Sequence, residues 1–146
     1  MRDEFSIPCF GIAIPTFEAP SLASPRKHIV IIMCMANYHW TGKDWDEQKR
    51  TITEELIGKA ERIIPGLSQH IVVQDSATPW TFRRYTKNTE GAAEGWAFSP
   101  EMFLKRLPQK TPIGNLYLAG HWAMPGGGVP SVSLSGLRAA RIILGE

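Results

Sequence analysis

Cysteine is almost missing from this sequence. Cys9 and Cys34 are the two in 146 residues, far apart, and they exclude a disulfide scaffold or a cysteine-rich zinc site. Long hydrophobic runs are missing too. The longest, Ile29 to Ala36, has eight residues, far short of the roughly 20 that a membrane-spanning helix needs. No sign of charge dominates: sixteen basic against fourteen acidic side chains leave a formal +2, which gives no reason to expect nucleic acid or an anionic membrane as partner. The N-terminal string MRDEFSIPCFG has neither an apolar core nor a small-residue cleavage site, so no secretory signal is expected and a reduced, cytoplasmic setting is the default. Internal repeats and low-complexity tracts are also lacking.

What is there reads as globular. The chain is 43% hydrophobic, 10% aromatic and 21% charged, with room for one domain or two unequal lobes. Thirteen glycines and eleven prolines are more than a helical bundle would carry. Phe5 to Ile14 reads as an extended segment stopped by Pro15, with Pro8 marking an edge or an irregularity. After a turn-rich stretch, Glu18 to Pro25, the run HIVIIMCMA reads as a strand buried on both faces. A helix then opens near Thr41 to Asp46, with Asp44 and Thr41 competing as N-cap, and Ile52, Leu56, Ala60 and Ile63 line one face. Glu55 and Lys59 pair on another face, and Pro65-Gly66 ends the helix. His70 to Gln74 reads as a third strand.

Farther along, Thr78 and Pro79 suit an N-cap and first position of a short helix reaching about Tyr85. Asn88 to Gly95 reads as a loop, Trp96 to Phe98 as a short aromatic strand or wall, and Ser99 as the start of another helical turn. Pro108 and Pro112 read as a linker. The tail carries the most information: Asn115 to Gly120 as a strand, HWAMPGGG as a glycine loop, and Ser131 to Leu144 as about four turns of helix with Pro130 at its first position and Gly145 at its exit. Ser133, Gly136 and Ala140 give that helix a small-residue face. The first amides of a helix lack partners and sit at the positive end of its dipole, so a ligand oxygen can rest near Val129 to Val132 without a charged side chain. Gly126, Gly127 and Gly128 remove the Cβ atoms that would obstruct a flat ring or a phosphate. A connecting turn with no ligand is the competing reading. No lysine follows Gly128, which argues against a Walker-type loop. The string GVPSVSLSG is not a nucleophile elbow, and the histidines and cysteines lack zinc-site spacing, so no metal is expected.

The segment NLYLAGHWAMPGGGVPSVSLSGLRAARIIL resembles the C-terminal flavin-binding segment of phytoene-desaturase-like enzymes, the carotenoid desaturase, carotenoid isomerase and retinol saturase group of the FAD-dependent amine-oxidase superfamily. ATPWTFRRYTKNTEGAAEGW resembles the same group's Thr-Pro…Tyr-Thr…Asn…Gly-x-x-x-Gly-Trp block. SLASPRKHIVIIMC and IPGLSQHIV resemble a substrate-domain strand and a helix exit. The Gly-x-Gly-x-x-Gly loop that takes the FAD pyrophosphate in that family has no match in this sequence.

The resemblance implies an α+β fold: an antiparallel sheet of the substrate domain with packed helices, plus the last strand and helix of an FAD-binding domain. Residues 1–110 would be the substrate-domain portion and 111–146 the C-terminal strand, loop and helix. It implies FAD as cofactor, with Gly120, His121, Trp122, Gly128, Val129, Pro130, Ser131 and Val132 against it. The backbone amides of the last five would meet the flavin pyrimidine carbonyl, Pro130 only shaping the contact because it has no donor. His121 stands where many superfamily members have an acidic residue on the ribityl chain. No catalytic residue is assigned.

Several side chains have a plainer reading. Trp96 and Trp122 would wall an apolar substrate or pack a core. Glu90 and Glu94 read as solvated. Arg83, Arg84, Lys87, Lys105 and Arg106 read as a solvated basic face, with peripheral membrane contact as their furthest reach. His28, His39 and His70 form no constellation, and Cys34 reads as an inert core thiol. Three functional expectations follow. The chain is the C-terminal part of an FAD-dependent oxidoreductase acting on an apolar polyene-like substrate, by desaturation, saturation or redox-assisted isomerisation, and is inactive alone. Or it is a flavin-free binding or homodimeric interaction module. Or it is one half of a split flavoenzyme, completed by a second chain that carries the dinucleotide-binding lobe. The strand at Asn115 to Gly120 should either join the antiparallel sheet or leave an apolar face that drives dimerisation.

Overall fold

The computed structural model describes residues 7, 9–40, 44–97 and 99–146. The chain forms two compact units, Met1–Tyr85 and Thr86–Glu146. Among the described residues the architecture is α+β, with four α-helices and one two-stranded antiparallel sheet.

In the first unit, β1 (Gly11–Ala13) pairs with β2 (Ile31–Met33) in the register Gly11↔Met33, Ile12↔Ile32 and Ala13↔Ile31. Pro15 ends β1 as expected by opening a 3-10 turn, Pro15–Phe17. Of the extended segment expected before it, residues 5, 6 and 8 lie outside those described. The strand in HIVIIMCMA is shorter than expected and is not buried on both faces, since Ile31 and Met33 are exposed. A two-stranded ribbon offers one covered face at most, so the even apolar run overstated its burial.

α1 (Trp45–Glu61) follows its sequence signals closely. Asp44 Oδ1 accepts from the amides of Asp46 at 2.7 Å and Glu47 at 3.4 Å, which satisfies two otherwise orphaned donors. Thr41, the competing cap, lies outside the described residues. Ile52 and Leu56 pack with Ile7, Trp45, Phe10, Cys34, Trp40 and Trp80 in the unit's apolar core. Ala60 is fully buried, whereas Ile63 lies beyond the helix end and is exposed. Lys59 pairs with Glu55 at 3.3 Å and also donates to the Ile7 carbonyl at 3.1 Å. Burial pushes the half-buried Cys34 thiol up, helped by Cys9 and Glu55.

The exit from α1 is held by its own last residue. Glu61 accepts from the amides of Gly66 at 2.6 Å and Ser68 at 2.7 Å, and Gly66 takes a φ of 85°. The strand expected at His70 to Gln74 does not form. Ser68–His70 is a 3-10 turn, and Val72 and Val73 are 73% and 88% exposed. A β-branched run becomes a strand only beside a partner, and the sheet of the described residues stops at two strands. α2 (Pro79–Thr86) starts at the expected proline, with the Thr81 amide 3.4 Å from Thr78 Oγ1.

In the second unit, α3 (Pro100–Leu104) is capped by Ser99, whose Oγ accepts from the Met102 amide at 3.2 Å. Trp96 is not in a strand, and Phe98 lies outside the described residues. The strand expected at Asn115 to Gly120 is reduced to a single bridge, Lys110↔Tyr117, with the Leu118 amide on the Gln109 carbonyl at 2.8 Å. It therefore pairs with the preceding segment rather than with β1 and β2. The supposed linker around Pro108 is structural: Leu107 bridges to Ala123 and accepts from the Met124 amide at 2.8 Å. α4 (Val129–Leu144) begins one residue before Pro130 and ends, as expected, at Gly145 in a left-handed conformation. No helix of the described residues is long and apolar enough to cross a membrane.

Candidate functional site

The loop from residue 120 to 128 connects a bridged segment to the N-terminus of α4. Gly128 is the N-cap of α4, at a φ of 88° and a ψ of 143°, which residues with a Cβ rarely adopt. No side chain caps this end of the helix. A Cβ on Gly128 would meet nothing within 4 Å, so the mouth of the helix is open. Val129 and Pro130 are exposed, and Gly128, Ser131 and Val132 are half-buried.

The five expected contact positions are not equivalent. The Val132 amide is taken by the Gly128 carbonyl at 3.0 Å, as the first regular helical bond. Proline has no N–H. The donors that the mouth presents are therefore the amides of Gly128, Val129 and Ser131, reinforced by the positive end of a sixteen-residue helix. Ser133, expected on a small-residue contact face, is exposed and donates instead to the Val129 carbonyl at 2.9 Å. Ala140 is exposed as well; the buried side of α4 runs through Ser135 and Ala139.

The other two glycines of the triplet do not leave open space. A Cβ on Gly126 would overlap the Arg106 guanidinium, and one on Gly127 would overlap the Glu94 backbone. These glycines admit the protein's own atoms rather than a ligand. Arg106 is thus no member of a solvated basic face. It is 7% exposed, and its Nη1 donates to the Pro125 carbonyl. Its position could not be read from a local run of basic residues, because its partners lie about twenty positions downstream.

At the start of the loop, the Gly120 amide donates to Ser135 Oγ at 3.2 Å. The half-buried His121 ring meets Trp122 edge-on, with centroids 5.3 Å apart. Trp122 in turn packs edge-on against Trp96 at 5.1 Å, and Trp96 Nε1 donates to the Trp122 carbonyl at 2.9 Å. Gly95 lies so close to the His121 carbonyl that no Cβ would fit there. Residues 94–96 and 120–122 therefore form one continuous aromatic ledge. Glu90 and Glu94 are both exposed.

Gln109 and Ser135 are the functional-site neighbours that the sequence did not disclose. Ser135 is fully buried, and its Oγ also lies 3.2 Å from Gln109 Nε2. Gln109 is 6% exposed and donates to the Met124 carbonyl as well. Among the described residues, no group of three histidine, cysteine or acidic side chains could hold a metal ion. Chemically, the site is a set of main-chain donors at an open helix end, flanked by aromatic surface and backed by a buried guanidinium. It can hold a carbonyl or anionic oxygen of a flat ligand.

Comparison with known proteins points the same way. The chain is 31% identical over 141 residues to a chloroplastic prolycopene isomerase of Daucus carota, covering 92% of this chain and 23% of that protein. It is 33% identical over 155 residues to a phytoene dehydrogenase of Streptomyces griseus, covering 96% and 29%. It is 30% identical over 145 residues to pyridine nucleotide-disulfide oxidoreductase domain-containing protein 2 of Mus musculus, covering 93% and 25%. The chain thus spans about a quarter of the length of these relatives. The sequence profile described as flavin containing amine oxidoreductase matches residues 12–144, nearly the whole chain, and the chain belongs to that family.

Proposed function

We propose that this chain is the C-terminal portion of an FAD-dependent oxidoreductase that acts on an apolar, polyene-like substrate. Residues 1–110 supply part of the substrate domain, and 111–146 supply the strand-like segment, loop and helix that meet the flavin. The open, uncapped mouth of α4 behind Gly128 carries this reading. Relatives named for carotenoid reactions support the substrate class.

FAD is the cofactor that the family implies. An isoalloxazine edge carries a carbonyl and ring nitrogens that accept hydrogen bonds, and the mouth offers the Val129 and Ser131 amides with open space at Gly128. These residues fit one edge of the ring. When bound, FAD supplies a two-electron acceptor or donor for desaturation, saturation or redox-assisted isomerisation.

The chain's own part is positioning and electrostatics. The amides of Val129 and Ser131 hold an oxygen in place and, with the α4 dipole, favour negative charge on it by about 0.3–1 kcal/mol at an exposed helix end. Gly120, His121 and Trp122 border the same loop, and the Trp96–Trp122 pair gives an apolar substrate a rigid aromatic surface that excludes water. The dinucleotide loop is not in this sequence, so a partner lobe or second chain completes the site. The exposed Leu137, Ile143 and Leu144 of α4 are consistent with such a cover.

The experiment is a titration of the purified chain with lumiflavin, the bare ring system, followed by flavin fluorescence quenching and visible absorption. Saturable binding that Val129→Pro weakens supports the assignment, since that change deletes one of the free donors. Absence of any binding by the native chain, alone and with a dinucleotide-binding lobe added, overturns it.

A further inference from the structure

We propose that Gln109 and Ser135 are positioning residues for the mouth of α4, an inference that rests on the flavin-edge reading above. A single buried hydroxyl and a single buried amide tie together three stretches that are remote in sequence. Ser135 Oγ accepts from the Gly120 amide at 3.2 Å and from Gln109 Nε2 at 3.2 Å. Gln109 Nε2 donates its second hydrogen to the Met124 carbonyl.

A side-chain amide has two N–H groups, and both are used; a hydroxyl oxygen has two lone pairs, and both are filled. The orientation of the Gln109 amide is also forced. Its carbonyl oxygen cannot face the Met124 carbonyl, because two acceptors would then oppose each other. A buried polar cluster of this kind contributes a unique geometry more than it contributes stability, since apolar side chains would fill the space with less desolvation.

That geometry is the one the candidate site needs. Ser135 lies six residues past Val129, about 9 Å along the helix axis at 1.5 Å per residue. Its bond to Gly120 therefore sets how far the start of the loop lies from the free amides of Val129 and Ser131. Gln109 fixes the middle of the loop at Met124, beside the Met124 amide on Leu107, and Arg106 fixes the next residue. A ligand that touches both His121–Trp122 and the helix mouth requires that span to be held within about half an ångström. Without Ser135 and Gln109, the donors remain but their spacing from residues 120–122 is no longer imposed.

The test uses the full chain with Ser135→Ala, Gln109→Glu and the double variant. Gln109→Glu keeps the shape of the side chain while its ionised form donates nothing to Met124 or Ser135. Amide hydrogen exchange is read at Gly120 and Ala123, with residues 138–144 of α4 as internal reference. Each variant should exchange at least tenfold faster at Gly120 or Ala123 with the reference unchanged. Lumiflavin affinity should fall at least fivefold, with a shift of the visible flavin band. The double variant should be no worse than about twofold beyond the more affected single one, because the two side chains act as a unit. Should Ser135→Ala fail to fold, Ser135→Cys replaces it, with a smaller change in the same direction.

Native-like exchange at Gly120 and Ala123 in both single variants overturns the proposal, whatever the ligand result. Faster exchange with unchanged lumiflavin affinity and spectrum also overturns it, because the pair would then serve packing alone. A native chain that binds no lumiflavin defeats the flavin reading instead, and the exchange result then decides the positioning claim by itself.

Discussion

Replacing Gly126 with alanine should be among the most damaging one-carbon changes in the chain. Two costs add. Gly126 has a φ of 121°, a conformation that strains any residue with a Cβ by about 1–3 kcal/mol. The new Cβ would also overlap Arg106 Nη1 and Cζ and lie 2.9 Å from Nη2. Moving the guanidinium away breaks its bond to the Pro125 carbonyl, a charge-assisted bond worth about 1.5–3 kcal/mol. Together these give about 4 kcal/mol. At about 2–4 °C per kcal/mol for a chain of this size, the midpoint of thermal unfolding should fall by roughly 8–16 °C. Calorimetry and urea unfolding followed by circular dichroism measure it. Repeating the change in an Arg106→Ala background removes the steric part, and there Gly126→Ala should cost only the backbone strain of about 1–3 kcal/mol. A loss below about 1 kcal/mol, or an equal loss in both backgrounds, would refute the claim that Arg106 occupies the space that Gly126 leaves.

Three further outcomes are expected. Gly58→Ala should stabilise the chain by about 0.5–1 kcal/mol in urea unfolding, because Gly58 lies inside α1 and a Cβ there meets nothing within 4 Å. Asp44→Ala should cost about 1 kcal/mol by removing the acceptor of the Asp46 and Glu47 amides, read as a lower thermal midpoint, whereas Asp44→Asn should keep most of it. Glu61 gives a pH dependence: the Ser68 amide, and then that of Gly66, hold its carboxyl below the usual range. Its stabilisation is therefore complete above the unfolded value near 4.5 and is lost as pH falls through the lower folded value. Urea midpoints measured from pH 6 to 3 should fall less steeply for Glu61→Gln than for the native chain, and parallel curves would contradict this.

The parts of the fold that were legible in the sequence are those decided within a few residues. Asp44 ahead of Trp45, Ser99 ahead of Pro100 and Gly145 after Leu144 mark helix ends because their partners are two to four positions away. Strands were poorly legible for the converse reason. HIVVQ and NLYLAG carry the right residues, but a strand exists only where a second segment pairs with it, and the sequence does not say where that segment is. The same divide runs through the candidate site. The glycine loop and the helix mouth at Gly128 were legible, since both are local backbone features. Arg106, Gln109 and Ser135 were not, because their roles depend on partners 15 to 26 positions away, such as Gly120, Met124 and Pro125. Even the glycines divide in this way: Gly128 opens onto empty space, while Gly126 and Gly127 make room for the chain itself.

The bond from the Gly120 amide to Ser135, shared with Gln109, also bears on how this piece of protein could be moved to another scaffold. A transplant that starts at residue 111 would carry the loop and α4 but leave behind the two side chains that brace the loop from beneath. A cassette that keeps both of those side chains begins at Arg106 and includes the Leu107–Ala123 bridge. Chimeras cut on either side of that point should differ sharply in whether the grafted loop holds its conformation.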